Sequence, residues 1–164
     1  MRHGPAEDQS ATGRDEDRAL TTPGRERVRG VVRLLLGEGE MPARVLASRL
    51  VRAQQTADLV VAAAKAGGWR GATETVPELA PGGRGVELVR ALFVAGAVAP
   101  MVVGHEPDLT ALVERLLDAA LPAPMDKAMV VALEVHADGP ATLRFIIEPR
   151  NPALLHDGRA RSHA

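Results

Sequence analysis

Residues 44–57, RVLASRLVRAQQTA, decide the fold of this chain. The first four, Arg44 to Ala47, form a short apolar stretch typical of a buried β-strand. Small and apolar residues then recur on one face of a predicted helix, which Gly67-Gly68 ends: Ala53, Thr56, Ala57, Val60, Val61 and Ala64. A strand that leads through a short loop into a helix is the repeating unit of an α/β domain with a parallel sheet.

The same alternation extends along the chain on both sides of this unit. Strands are predicted at 44–47, 73–76 and 100–103, helices at 22–36, 53–64, 86–93 and 107–117, and an antiparallel hairpin at 128–135 and 142–147. This order predicts an α/β domain with a largely parallel sheet and one late antiparallel pair. We expect residues 1–150 to form a single domain and residues 151–164 to form a polar, loose tail.

Composition excludes several functional classes. The 164 residues carry a net charge of -1 and only 2% aromatic side chains, which disfavours a nucleic-acid surface. The absence of cysteine excludes disulfides, thiolate metal ligands and a cysteine nucleophile. No apolar run approaches the roughly 18 residues that cross a bilayer. We expect a cytoplasmic monomer that binds neither nucleic acid nor membrane.

Polar residues gather where strands of the predicted sheet end. Ser48 to Arg52 and Gly104-His105 each follow a predicted strand, and Arg2-His3-Gly4 would follow one if a strand precedes it. Ligands of α/β sheets bind at these carboxyl ends. Arg2 and Arg52 could hold a phosphoryl group. One histidine could attack phosphorus, and the other could donate a hydrogen bond to the phosphoryl oxygens. Gly4 and Gly104 would let the backbone approach the ligand. The sequence therefore predicts a phosphate pocket with its own nucleophile.

A metal site is the main alternative for these side chains. His3, His105, Glu106 and Asp108 are all possible cation ligands. The two arginines nearby would repel a cation, so we expect neither a metal nor another cofactor. The other side chains of these types are expected to be solvated bystanders: His136, His156, His163 and the acidic residues of the loop at 5–21.

Three motifs in this order resemble those of the histidine phosphatase superfamily, which has the phosphoglycerate mutase-like fold. They are Arg2-His3-Gly4, the stretch from Ser48 to Thr56, and Val102-Val103-Gly104-His105. Within that superfamily the chain most resembles the small SixA-type phosphohistidine phosphatases. Further similar stretches are RALTTPG at 18–24, PELAP at 77–81, VGHEPD at 103–108, with Glu106 where Asn is common, and Glu148-Pro149. The resemblance covers residues 1–150 and implies a three-layer α/β/α sandwich with a mostly parallel central sheet.

The resemblance also implies a metal-independent phosphatase. His3 would be the nucleophile that becomes phosphorylated, and Arg2, Arg52 and His105 would complete the phosphate pocket. Water would then release inorganic phosphate. Ser48 matches a motif position, and we expect it to shape its loop.

The proton donor departs from the pattern of the larger family members. Those proteins carry a carboxylate two residues after the Leu that matches Leu79, whereas Pro81 stands there in this chain, as in SixA-type proteins. Glu78 is the nearest carboxylate and is a candidate for substrate binding. A poor proton donor suits the labile P–N bond of phosphohistidine better than an alkyl phosphate. We expect a phosphorylated protein of the histidine phosphotransfer or phosphocarrier type as partner.

The strand that normally precedes the Arg-His-Gly motif in this family has no counterpart here, because only Met1 comes before it. That strand usually lies in the middle of the sheet. We therefore expect a gap with unpaired edges, a poorly positioned His3 and a partly formed pocket, and we expect the natural start to lie upstream.

Two other functions stay open. One is a small-molecule phosphomonoesterase of the same superfamily, which a short chain without a capping insertion disfavours. The other is a weakly active phosphate-binding or interaction module. The missing strand and proton donor favour this module, whereas the nucleophilic histidine argues against it.

Overall fold

Helices and strands alternate along the chain as predicted. The computed structural model describes residues 1–150, 154–156 and 159–160. The elements up to the fourth helix are α1 Thr22–Gly37, β1 Arg44–Ala47, α2 Val51–Ala66, β2 Thr73–Thr75, α3 Gly85–Val94, β3 Pro100–Val103 and α4 Asp108–Leu117. The strands β4 Val130–Glu134, β5 Thr142–Ile147, β6 Leu154–His156 and β7 Arg159–Ala160 follow. Short 3-10 turns lie at Asp15–Asp17 and Pro77–Leu79.

The first three strands form a parallel sheet in the order β2-β1-β3. Val45 of the central strand pairs with Thr73 on one side and Met101 on the other. All three strands run in the same direction, so their carboxyl ends lie at one edge of the sheet. The loops that begin at Ser48 and Gly104 therefore start side by side.

Helices cover both faces of this sheet. Val45 and Ala47 point to one face and share a buried core with Val28 of α1 and Val60 of α2. Leu46, between them, points to the other face, where it packs with buried residues that include Leu92 of α3. Burying each large apolar side chain contributes about 1.5–3 kcal/mol. The arrangement is the expected three-layer α/β/α sandwich.

The later strands form an antiparallel sheet in the order β4-β5-β6-β7. The β4–β5 pair is the predicted hairpin, with a register shift between Ala132 and Leu133. The expectation of a loose tail is wrong for β6 and β7, because backbone pairing adds them to the sheet. The rest of the expected tail, residues 151–153, 157–158 and 161–164, lies outside the described residues.

The N-terminal segment, Met1–Gly4, lies between β3 and the start of β4. On one side the Met1 amine donates to the Val102 carbonyl at 2.8 Å, and the His3 amide donates to Gly104 at 3.1 Å. On the other side the Arg2 amide donates to Met129 at 3.0 Å, and the His3 carbonyl accepts from Ala128 at 3.1 Å. The expectation that His3 would be poorly positioned is therefore wrong, because backbone bonds on two sides fix this segment.

A cavity of about 390 Å³ is lined in part by Met1. Its walls are mainly apolar and include Met101 and Val102 of β3 and Val131 and Leu133 of β4. Within the described residues, β3 and β4 are edge strands of their sheets. The expected gap in the sheet stays a prediction. Among the same described residues, no helix is both long enough and apolar enough to span a membrane.

Candidate active site

His3 is a buried, neutral histidine with a defined tautomer. Its Nδ1 lies 2.7 Å from the Gly4 carbonyl oxygen. A carbonyl can only accept, so Nδ1 carries the hydrogen and Nε2 keeps its lone pair. Burial lowers the pKa of His3 to about 3; the bond to Gly4 opposes this shift, and the charges of Arg52 and Arg2 reinforce it. The ring is therefore a neutral nucleophile at pH 7.

His105 lies beside His3, directly after β3. The two ring centroids are 5.0 Å apart, and the rings are tilted by 51°. Burial, reinforced by the charge of Arg52, lowers the pKa of His105 to about 4. Both ring nitrogens are buried and have no hydrogen-bond partner among the described residues. Buried nitrogens without a partner indicate that a ligand supplies the missing bonds.

Arg52 reaches the pocket from the first turn of α2, with only 5% of its surface exposed. Its guanidinium donates to the backbone carbonyl of Asp15 at 2.8 Å and to the Asp15 carboxylate at 3.0 Å. Its Nε is buried and has no partner among the described residues. Arg52 is therefore held in place and keeps a free donor for a ligand.

Asp15 is a partner of Arg52 that was not predicted, because the acidic residues of the loop at 5–21 were expected to be solvated bystanders. Slight burial raises the pKa of Asp15, but the hydrogen bonds from Arg52 and Arg18 outweigh this effect and lower it overall. Asp15 is exposed, as expected for this loop, but it is not a bystander, because the 3-10 turn at Asp15–Asp17 contacts α2 and brings its carboxylate to Arg52. A loop without periodicity carries no signal for such a contact.

Arg2 completes the group of four predicted residues. One guanidinium nitrogen donates to the Met125 carbonyl at 2.6 Å, and Nε is buried without a partner among the described residues. The charges of Arg2 and Arg52 both lower the pKa values of His3 and His105, which places the arginines close to the rings. The structure thus brings all four predicted residues together.

Close packing against α1, as well as the position beside the phosphate pocket, explains why residue 4 is a glycine. A Cβ at this position would lie 2.5 Å from Cγ2 of Val28 on α1, too close for any real contact. The Gly4 amide donates to the Thr56 hydroxyl at 3.0 Å, and that hydroxyl donates to the Arg52 carbonyl at 2.7 Å. Thr56 therefore links the nucleophile's segment to α2. From its spacing, Thr56 was predicted only to lie on the apolar face of the helix. Contact between Gly4 and substrate stays a prediction.

Ser48 shapes the loop after β1, as expected. The residue is fully buried, and its hydroxyl accepts a bond from the Leu50 amide at 3.4 Å. Its carbonyl accepts from the Gln54 side chain at 2.6 Å. These bonds turn the chain from the strand into α2 and so place Arg52.

Glu78 lies on the 3-10 turn Pro77–Leu79, at the edge of the site. It lines an open cavity of about 360 Å³ together with Gly82, Gly83 and Arg84. No hydrogen bond or ion pair joins its carboxylate to the four pocket residues in the part of the chain described. Its role in substrate binding stays a prediction. Among the same residues no group of three or more His, Asp or Glu side chains is placed to hold a metal ion.

Comparison with known proteins identifies the family. The model of the histidine phosphatase superfamily (branch 1) matches residues 1–80, which include His3, Arg2 and Arg52. The chain is also 30% identical over 155 residues to phosphohistidine phosphatase SixA of Escherichia coli K12, with 92% of each chain covered. The chain belongs to the histidine phosphatase superfamily.

Solved structures agree with this assignment. A structure of the protein histidine phosphatase SixA in complex with tungstate superposes on this histidine phosphatase with a TM-score of 0.82. The two chains are 28% identical, and 92% of this chain and 96% of the other are covered. The alpha-ribazole phosphatase of Shigella flexneri, at 19% identity and a TM-score of 0.67, covers 100% of this chain and 98% of its own and shares the fold.

Proposed function

We propose that this phosphatase hydrolyses phosphohistidine on a protein partner of the phosphotransfer or phosphocarrier type. The observation that carries the proposal is the tautomer of His3. Its Nδ1 hydrogen is bound to Gly4, so Nε2 keeps a neutral lone pair, and the ring lies beside that of His105. The relative in Escherichia coli is named for the same activity, and a related structure holds tungstate, a tetrahedral oxyanion.

The first step transfers the phosphoryl group to the enzyme. Nε2 of His3 attacks phosphorus in line, forming a new P–N bond while the P–N bond of the substrate breaks. The substrate ring enters protonated on its other nitrogen, so when the electron pair of the broken bond stays on that ring it leaves as neutral imidazole. The positive charge is then on the ring of phospho-His3, which keeps its Nδ1 hydrogen. Arg2 and Arg52 offset the charge on the phosphoryl oxygens, and His105 donates to one of them.

The second step releases phosphate. Water attacks the phosphorus of phospho-His3, the P–Nε2 bond breaks, and its electron pair returns to Nε2. The water hydrogens leave with dihydrogen phosphate, so the enzyme returns to its neutral state. The leaving group of the first step departs as neutral imidazole and needs no proton from the enzyme. This agrees with Pro81 at the position of the missing carboxylate.

A substrate panel tests the proposal. Phosphate release is measured from a phosphorylated histidine phosphotransfer domain and from sugar phosphates, with wild-type protein, His3→Asn and His136→Asn. His136 is an exposed histidine that contacts Thr142 at 2.8 Å, and it serves as the matched control. We expect turnover of the phosphoprotein by the wild type and by His136→Asn only. Preference for sugar phosphates would support the small-molecule phosphatase instead, and oxyanion binding without turnover would support a binding module.

A further inference from the structure

The position of Arg2 depends on a single protein carbonyl. Among the described residues, its guanidinium makes one hydrogen bond, to the Met125 carbonyl at 2.6 Å. Arg52, by comparison, has two bonds to Asp15 and lies on a helix. The position of the Met125 carbonyl therefore determines where the Arg2 guanidinium points.

The backbone of Met125 is itself held from α4. Its amide donates to the Thr110 hydroxyl at 3.0 Å, on the first turn of that helix. Met125 is 1% exposed and lies in the connection between α4 and β4. Its N–H thus donates to Thr110 while its C=O accepts from Arg2, so the two peptide groups that flank the Met125 Cα link the helix to the pocket.

Glu106 determines which way the hydroxyl hydrogen of Thr110 points. The Thr110 hydroxyl donates to Oε2 of Glu106 at 2.6 Å. An ionised carboxylate can only accept, so the hydroxyl hydrogen points to Glu106 and a lone pair remains for the Met125 amide. The other carboxylate oxygen of Glu106 is buried without a partner among the described residues. Because such an oxygen costs stability, the presence of Glu106 is not explained by stability alone.

We propose that Thr110 is a positioning residue for Arg2 and that Glu106 fixes the orientation of its hydroxyl. Loss of the hydroxyl frees the Met125 N–H, so the backbone of Met125 can shift, its carbonyl moves, and the Arg2 guanidinium turns away from the phosphoryl oxygens. The inference rests on the proposed function only in that Arg2 binds the transferred group.

Tungstate affinity, measured by isothermal titration calorimetry on the full chain, tests this link without requiring turnover. Thr110→Val keeps the shape of the side chain and removes the hydroxyl; we expect about tenfold weaker binding. Thr110→Ser restores the hydroxyl and should bind within about twofold of wild type. In an Arg2→Ala background, Thr110→Val should cause no further loss, because the effect passes through Arg2.

Glu114→Gln is the matched control. The Glu114 carboxylate also anchors the connection after α4, by accepting from the Leu121 amide at 2.9 Å, but it has no link to Arg2. We expect wild-type tungstate affinity for this variant. Glu106→Gln should weaken binding about threefold with unchanged stability, because an amide can either accept from or donate to the Thr110 hydroxyl. This variant provides the test if Thr110→Val does not fold.

Three outcomes would overturn the inference: wild-type affinity in Thr110→Val, wild-type affinity in Glu106→Gln, or an equal loss from Thr110→Val in the Arg2→Ala background. Wild-type protein that binds tungstate but does not hydrolyse phosphohistidine would contradict the proposed function alone. Wild-type protein that binds no tungstate would contradict both.

Discussion

Lowering the pH from 7 to 5 is expected to destabilise the fold through His3 and His105. Burial lowers their pKa values to about 3 and about 4, whereas in the unfolded chain both take the ordinary value of 6.5. Between pH 6.5 and 4 the unfolded chain therefore binds more protons than the folded one, and stability falls as pH falls. The loss is small above pH 6.5 and levels off below the folded pKa values.

The size of this effect follows from the shifts. At pH 5 an unfolded-state histidine is almost fully protonated, while each folded-state ring is still almost neutral. Each histidine then lowers the free energy of unfolding by about 2 kcal/mol relative to pH 7, and the pair by about 4 kcal/mol. Such a loss is a large fraction of the stability of a single domain.

Urea unfolding at pH 7, 6 and 5, followed by circular dichroism, measures the effect. Other groups also titrate in this range, so the comparison is with His3→Asn, whose amide can still donate to the Gly4 carbonyl, and with His105→Asn. Each variant should lose about 2 kcal/mol less than wild type between pH 7 and 5. Equal losses in wild type and both variants would show that the two rings titrate normally, and would refute the lowered pKa values.

Three further substitutions test the surroundings of the pocket. Gly4→Ala places a Cβ against Val28 and should cost about 1–3 kcal/mol in urea unfolding; wild-type stability would contradict the packing account. Thr56→Val leaves the Gly4 amide buried without its acceptor and should also cost about 1–3 kcal/mol by the same measurement; wild-type stability would contradict the role of the Thr56 hydroxyl as that acceptor. Arg52→Lys replaces the planar guanidinium by one ammonium and should lower kcat/KM for the phosphoprotein about tenfold to hundredfold. An unchanged kcat/KM would contradict the role of Arg52 in the phosphate pocket.

Much of the fold follows from local sequence patterns. The strand at Arg44–Ala47 and the helix after it were predicted because apolar spacing distinguishes the two, and the order of elements fixed a parallel sheet. The four pocket residues could be grouped because the carboxyl ends of parallel strands converge. The proposed nucleophile and its three neighbours were therefore predictable before any distance was known.

The supporting contacts were not predictable in the same way. The bond from Arg52 to Asp15 and the bond from Arg2 to Met125 join residues far apart in sequence, through loops without periodicity. The N-terminal segment is held by backbone groups of Gly104 and Met129, and backbone groups leave no trace in side-chain patterns. The same reason explains why β6 and β7 were expected to be a loose tail.

The most direct test of the central claim is the phosphorylated intermediate. Wild-type protein is mixed rapidly with a phosphotransfer domain carrying 32P-phosphohistidine, and the modified peptide is located by mass spectrometry. We predict an acid-labile, alkali-stable phosphoryl group on His3, absent from His3→Asn and present in His136→Asn. Labelling at another residue, or full turnover by His3→Asn, would contradict the account.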